Sequence, residues 1–177
     1  MEKRQSISKF TTKDLAETGM MAAIIFAGTY LNIPYYVGSS RSMIHLGTAV
    51  LFIAVLLVGK NKGAIAAAVG LSLFDLFSAT PIWAPFTFVI KGGMAYIAGL
   101  VAYRGKYNGD SILNNIFAFV LGGIFNIVGY YLVDVLFYGS FIVAFQHIPS
   151  SLVTTIIGIV AAVSVGKILK TAIGSRT

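Results

Sequence analysis

Residues 112–138 read ILNNIFAFVLGGIFNIVGYYLVDVLFY, a run in which Asp134 is the only charged side chain. A helix crossing the hydrocarbon layer needs about 20 predominantly apolar residues, so this stretch predicts a transmembrane helix over 112–138. Working outward, the same criterion predicts five more spans, over about 16–33, 46–59, 64–79, 86–103 and 148–172. The first stops before Pro34, and Lys60-Asn61-Lys62-Gly63 reads as a tight polar turn between the second and third. Thr80-Pro81-Ile82-Trp83-Ala84-Pro85 separates the third from the fourth, because two prolines disfavour continued helix. The expected fold is an all-α integral membrane protein, a single transmembrane domain over 1–177 with six helices in one bundle. No internal repeat is evident, and no stretch is long enough for a separate soluble domain.

Composition points the same way. The chain is 57% apolar and 11% charged, with a mean hydropathy of +0.85. A soluble domain carries roughly a quarter charged residues, so lipid must cover much of this surface. The absence of cysteine excludes disulfides, thiolate metal sites and thiol nucleophiles. His45 and His147 are too few for a histidine-rich metal site, and no metal or cofactor is expected. The N-terminal stretch MEKRQSISKFTTKDLAETG leads into an apolar run without a convincing cleavage site, which argues against a signal peptide.

The net charge of +7 could suggest nucleic acid, but in so apolar a chain basic residues mark the cytoplasmic ends of spans instead. Lys3, Arg4, Lys9 and Lys13 precede the first span; Lys60 and Lys62 lie in the second loop, and Arg104 and Lys106 in the fourth. Lys167, Lys170 and Arg176 lie near the C-terminus. With six spans, all eleven fall on one side, Arg41 alone on the other, and Lys91 within a span. The positive-inside rule then places both termini in the cytoplasm, with the chain a multi-pass protein of the cell membrane.

An ionisable group inside a span costs about 2.5 to 3.5 kcal/mol on insertion scales and usually faces a partner or a wet cavity. Asp75, Lys91 and Asp134 are three such groups, and span direction puts all of them in the external third of the bundle. Asn126, Tyr130 and Asp134 recur every four residues and share one helical face. Ser150, Ser151, Thr154 and Thr155 open the sixth span, Trp83 lies in the third loop, and Tyr35, Tyr36, Arg41 and His45 lie in or beside the first. Together they predict an outward-opening cavity for a small, planar, polar molecule, with His45, Tyr36, Asp75, Trp83, Lys91, Asn126, Tyr130, Asp134 and Thr154 as candidate binding residues. Plainer roles exist for each. Asp75 and Lys91 could only neutralise one another; Trp83, Tyr130, Tyr131 and Tyr138 could be interfacial belt aromatics; Asn126 could bond a neighbouring helix; His147, before Pro149, reads as a loop residue. Clustering favours the cavity.

Gly19, Ala23 and Ala27 form a small-residue stripe along the first span. Such stripes let another helix approach closely, either within the bundle or from a separate subunit. No G-x-x-x-x-G-K-[ST], H-E-x-x-H or G-x-S-x-G sequence occurs, so neither ATP hydrolysis nor another catalytic site is expected of this chain.

Ile44-His45-Leu46-Gly47, Asp75-Leu76, Trp83-Ala84-Pro85-Phe86-Thr87 and Ile90-Lys91-Gly92 resemble the substrate-binding S components of energy-coupling factor transporters, in the riboflavin-transporter-like branch. The likeness covers about residues 14–170 and is most specific at W-A-P-F-T…I-K-G. Thr48 departs from it, standing where the pattern after His-Leu-Gly has an acidic residue. Ala23-Ile24-Ile25-Phe26-Ala27 is similar to the A-x-x-x-A motif by which S components dock on a transmembrane coupling subunit. The resemblance implies a subunit that takes a vitamin from outside under a lid formed by the first loop. It then works with the coupling subunit and two cytoplasmic ATPase subunits, toppling in the membrane to release the ligand inward. Members of the branch are assigned to hydroxymethylpyrimidine, to pyridoxine-like vitamins and to riboflavin, and a small cavity favours a single ring. A stand-alone secondary transporter or channel is the alternative, and a membrane enzyme using Asp75 or Asp134 as acid or base a third.

Overall fold

Thr11 opens the first helix with a capping box. Its hydroxyl accepts from the Asp14 amide at 3.1 Å while the Asp14 carboxylate accepts from the Thr11 amide at 3.0 Å, so two otherwise orphaned donors are satisfied. The structure, a computed structural model, describes residues 10–37 and 40–174. Lys3, Arg4, Lys9 and Arg176 of the expected basic side lie outside them. The order is α1 (Thr12–Tyr30), β1 (Asn32–Val37), β2 (Ser40–His45), α2 (Gly47–Phe77), a 3-10 turn (Pro81–Trp83), α3 (Ala84–Ala102), α4 (Ile112–Tyr138), α5 (Phe141–Gln146) and α6 (Ile148–Gly174).

The fold departs from an all-helical expectation in the first loop. The first helix ends at Tyr30 rather than residue 33, where Asn32 donates to the Thr29 and Tyr30 carbonyls. β1 and β2 then pair antiparallel from Asn32↔His45 to Val37↔Ser40. The apolar run continues past Tyr30, but Pro34 cannot join a helix and the chain turns to cross-strand pairing.

α2 is two helices. Gly59 has φ 82°, a backbone suited to glycine, and there the chain reverses. A β-carbon on Gly63 would lie 2.9 Å from the Val55 Cα, whereas eight residues along one continuous helix would separate them by about 12 Å. The arms 47–58 and 60–77 are therefore antiparallel. The turn lies at Gly59, one residue before the expected Lys60-Asn61-Lys62-Gly63, which is helical. Lys62 has a use there: its ammonium bridges Asp14 at 3.0 Å and Glu17 at 2.5 Å on α1. Spans four to six follow the expected limits within two residues, with a short α5 added before the last.

Small residues let the helices close. A β-carbon at Gly70 would lie 2.6 Å from the Ala22 carbonyl oxygen, and one at Gly99 2.6 Å from the Lys60 Cα. Phe52 and Phe119 stack at 4.3 Å across the core, both fully buried. The outer surface is apolar, with Leu113 80% and Leu136 79% exposed. Among the described residues four helical segments, Gly47–Phe77, Pro81–Ala102, Ile112–Tyr138 and Phe141–Ala172, are long and apolar enough to cross a membrane. An all-helical bundle with a small hairpin and a greasy exterior is a multi-pass membrane protein.

The bundle has two unlike ends. One carries the β-hairpin, the 3-10 turn, the C-terminus of α4 and α5. The other carries Gly59, the 103–111 loop and, among the described residues, Lys13, Lys60, Lys62, Arg104, Lys106 and Lys170. Lys170 ties that loop to α6, bonding Asp110 at 2.8 Å and lying over the Tyr103 ring.

Candidate ligand-binding site

At the hairpin end, all the long helices except α1 contribute to one cavity of about 140 Å³. A cavity near 150 Å³ takes a benzene-sized guest. Asn126, Tyr130 and Asp134 descend one face of α4 into it, four residues apart, as the helical repeat dictates. Lys91 and Thr87 enter from α3 on the same spacing, and Phe74, Asp75 and Ser78 from the end of α2. Ser150, Ser151 and Thr154 of α6 form another wall, and Ser42, Met43 and His45 of the hairpin complete it.

Polar groups here are buried without being satisfied. Lys91 is 4% exposed, yet among the described residues no hydrogen bond or ion pair within 4.0 Å engages its ammonium. Its one close neighbour of note is the Tyr130 ring, 5.3 Å to the centroid. Asp75 and Lys91 make no ion pair within 4.0 Å among the described residues, although each charge acts on the other electrostatically, as the plainer role requires. His45 Nδ1, Asn126 Oδ1, His147 Nε2 and Thr154 Oγ1 are buried atoms of cavity-lining residues, with no hydrogen-bond partner among the described residues. Unpaired buried polar atoms are costly and uncommon, and four of them around one cavity suit a polar guest. Burial pushes the His45 imidazole down to about 3, with the charge of Lys91 adding to the effect, so this ring is neutral. No group of three or more His, Cys, Asp or Glu side chains among the described residues could hold a metal ion.

Other contacts hold the walls in place. Thr87 and Tyr130 hydroxyls lie 2.9 Å apart. Trp83 packs 5.0 Å from Phe137 and 6.2 Å from Tyr130, which makes it a cavity wall rather than a free belt residue. The Ser42 and Ser150 hydroxyls meet at 2.7 Å and fasten the hairpin to α6.

Eight of the nine candidate residues from the sequence line this cavity: His45, Asp75, Trp83, Lys91, Asn126, Tyr130, Asp134 and Thr154. Tyr36 does not; it is 69% exposed. It pairs with Arg41 one step from the Val37↔Ser40 end of the hairpin, whereas the cavity takes Ser42, Met43 and His45 from the part of β2 nearer α2. His147 corrects the other way. It is the turn residue between α5 and α6, a loop position as expected, but it is buried, 8% exposed, with Nδ1 3.1 Å from Asp134 Oδ1. Thr87 and Ser42 were also not among the candidates. A four-residue step back from Lys91 finds Thr87, and a step of three or four along α6 links His147, Ser150, Ser151 and Thr154. Thr48 is fully buried and off the cavity wall, where a carboxylate would have no partner.

The stripe on α1 faces outward. Gly19, Ala23 and Ala27 are exposed, whereas Thr18, Ala22, Ile25 and Thr29 form the buried face.

A family model described as "ECF-type riboflavin transporter, S component" matches residues 9–171. The chain belongs to this family. This S component is thus a transporter component of the membrane, and its family is not one of enzymes. It is also similar to an uncharacterised protein of Pyrococcus woesei, described by its place in the gap 3′ region. The two are 33% identical over 136 residues, which span 77% of this chain and 88% of that protein.

Proposed function

We propose that this S component captures a single-ring vitamin or vitamin precursor from outside the cell, hydroxymethylpyrimidine or a pyridoxine-like compound. It would deliver the ligand as the substrate-binding subunit of an ATP-driven energy-coupling factor importer. The observation that carries the reading is a cavity of about 140 Å³ lined by Lys91 and by four residues whose buried polar atoms have no hydrogen-bond partner among the described residues. The family description names riboflavin, but the cavity volume favours one ring over three fused ones. On this reading His45, Asp75, Trp83, Lys91, Asn126, Tyr130, Asp134 and Thr154 bind the ligand under the hairpin.

Six crossings are proposed, by α1, the two arms of α2, α3, α4 and α6. The basic residues at the end away from the cavity support a cytoplasmic position for both termini. The chain has no phosphate-binding loop, which supports a reading in which energy comes from two cytoplasmic ATPase subunits through a transmembrane coupling subunit. The outward-facing Gly19, Ala23 and Ala27 stripe supports docking on that subunit rather than packing inside the bundle.

Because the chain has no cysteine, one introduced thiol reports one position. A membrane-impermeant external label is expected to modify Ser40→Cys and Ser42→Cys but not Lys62→Cys or Lys106→Cys. Hydroxymethylpyrimidine or pyridoxine should slow the reaction at position 42, which lines the cavity. External labelling at position 106 overturns the orientation, and labelling at 42 that neither compound slows overturns the ligand class.

A further inference from the structure

His147 and Asp134 form a buried pair on the cavity wall whose outer nitrogen has no hydrogen-bond partner among the described residues. His147 is 8% and Asp134 3% exposed. His147 Nδ1 lies 3.1 Å from Asp134 Oδ1, and the Tyr138 ring meets the imidazole edge-on at 5.6 Å. Asp134 and Tyr138 are one turn apart on α4, so a single helix face fixes both the position and the tilt of the ring. From the other side, Ser150 Oγ donates to the His147 carbonyl at 2.8 Å and also meets the hairpin hydroxyl of Ser42. Among the described residues nothing bonds His147 Nε2, although that atom is buried.

The carboxylate dictates what Nε2 can do. A carboxylate only accepts, so the proton of a neutral imidazole must reside on Nδ1, which leaves Nε2 as an acceptor. An oriented, buried acceptor discriminates strongly for a ligand that brings an N–H or O–H, because a ligand without one leaves it unpaired. Resting on the assignment of this cavity as the ligand site, we infer that His147, set in its tautomer by Asp134, is a specificity-determining residue that reads one hydrogen-bond donor, a hydroxyl or amino group, on the ring ligand. Lys91 takes the complementary part. Its unpaired ammonium calls for an acceptor, so the ligand class is a polar ring with a donor toward α4 and α6 and an acceptor toward α3.

Calorimetric titration of the detergent-solubilised protein tests this with pyridoxine, hydroxymethylpyrimidine and analogues of each that lack one hydroxyl or the amino group. The wild type is expected to bind one single-deletion analogue about tenfold or more weakly than its parent. His147→Phe should collapse that ratio toward one, while His147→Gln, which offers an amide oxygen, should keep part of it. Asp134→Asn carries the signature a structural role would not produce. An amide can donate to Nδ1 and move the ring proton to Nε2, so the preference should shift from donor-bearing ligands toward acceptor-bearing ones. If the wild type binds the parents and these variants weaken every analogue by the same factor, the inference fails and the ligand site stands. If the wild type binds none of the probes, the site assignment fails and the inference falls with it.

Discussion

The double replacement of Lys91 by Met and Asp75 by Asn is expected to leave a folded protein that binds its ring ligand roughly tenfold or more weakly. Removing both members preserves neutrality, so neither charge is left uncompensated in the bundle. A pair that served only to neutralise itself would tolerate the exchange and could even gain stability. The geometry speaks for the other case. Both residues line the cavity, and no ion pair within 4.0 Å joins them. Their polar heads are therefore held near each other but available to a guest. Each group a ligand loses in a dry pocket costs about 1 to 3 kcal/mol, and two of them suffice for the expected loss. The check is paired thermal unfolding and ligand titration of the same preparation. Normal folding with normal affinity would reduce Lys91 and Asp75 to scaffold.

Bulky replacements on the outer face of α1 should have the opposite profile. Ala23→Leu and Ala27→Leu are expected to reduce recovery of the coupling subunit with this chain about tenfold, while ligand affinity stays close to the wild-type value. Both alanines are exposed in the isolated bundle and lie around the helix from the buried Ala22 and Ile25 face, so extra methylenes meet nothing inside the protein. They would meet a helix packed closely against the stripe, where overpacking costs about 1 to 3 kcal/mol. Co-purification of the tagged subunits measures the effect. Full recovery with both substitutions would make the stripe a lipid-facing surface.

Much of this architecture is visible in the chain because membrane solvation is a local rule. Residues 112–138 announce α4 through unbroken apolarity between Ser111, whose side chain caps the helix, and Gly139 in the left-handed conformation. Asp75, Lys91 and Asp134 stand out because hydrocarbon makes each of them expensive, and the four-residue step from Asn126 to Asp134 already implies a shared wall. The hairpin is not visible in the same way. Asn32-Ile33-Pro34-Tyr35-Tyr36-Val37 is as apolar as the tail of a span, and its pairing with Ser40–His45 is a relation between segments rather than a property of either. That is why Tyr36 is misjudged, since the pairing places it near the far end of the hairpin, away from the cavity. The Gly59 reversal is misplaced by one residue for a related reason: polar Lys60 and Lys62 look like a turn, but they begin the next helix and Lys62 is consumed by Asp14 and Glu17. His147 becomes informative only when α4 and α6 are brought together, because its partner is thirteen residues away on another helix.

The account turns on a chain that binds substrate but borrows its energy. The measurement closest to that claim is uptake of labelled hydroxymethylpyrimidine and pyridoxine into cells or vesicles that contain this chain alone, or together with the coupling subunit and two ATPases. Saturable, ATP-dependent accumulation of one of them is expected with the full set and none with the chain by itself. Strong uptake by this chain alone, driven by an ion gradient, would contradict the account and make it a self-sufficient secondary transporter.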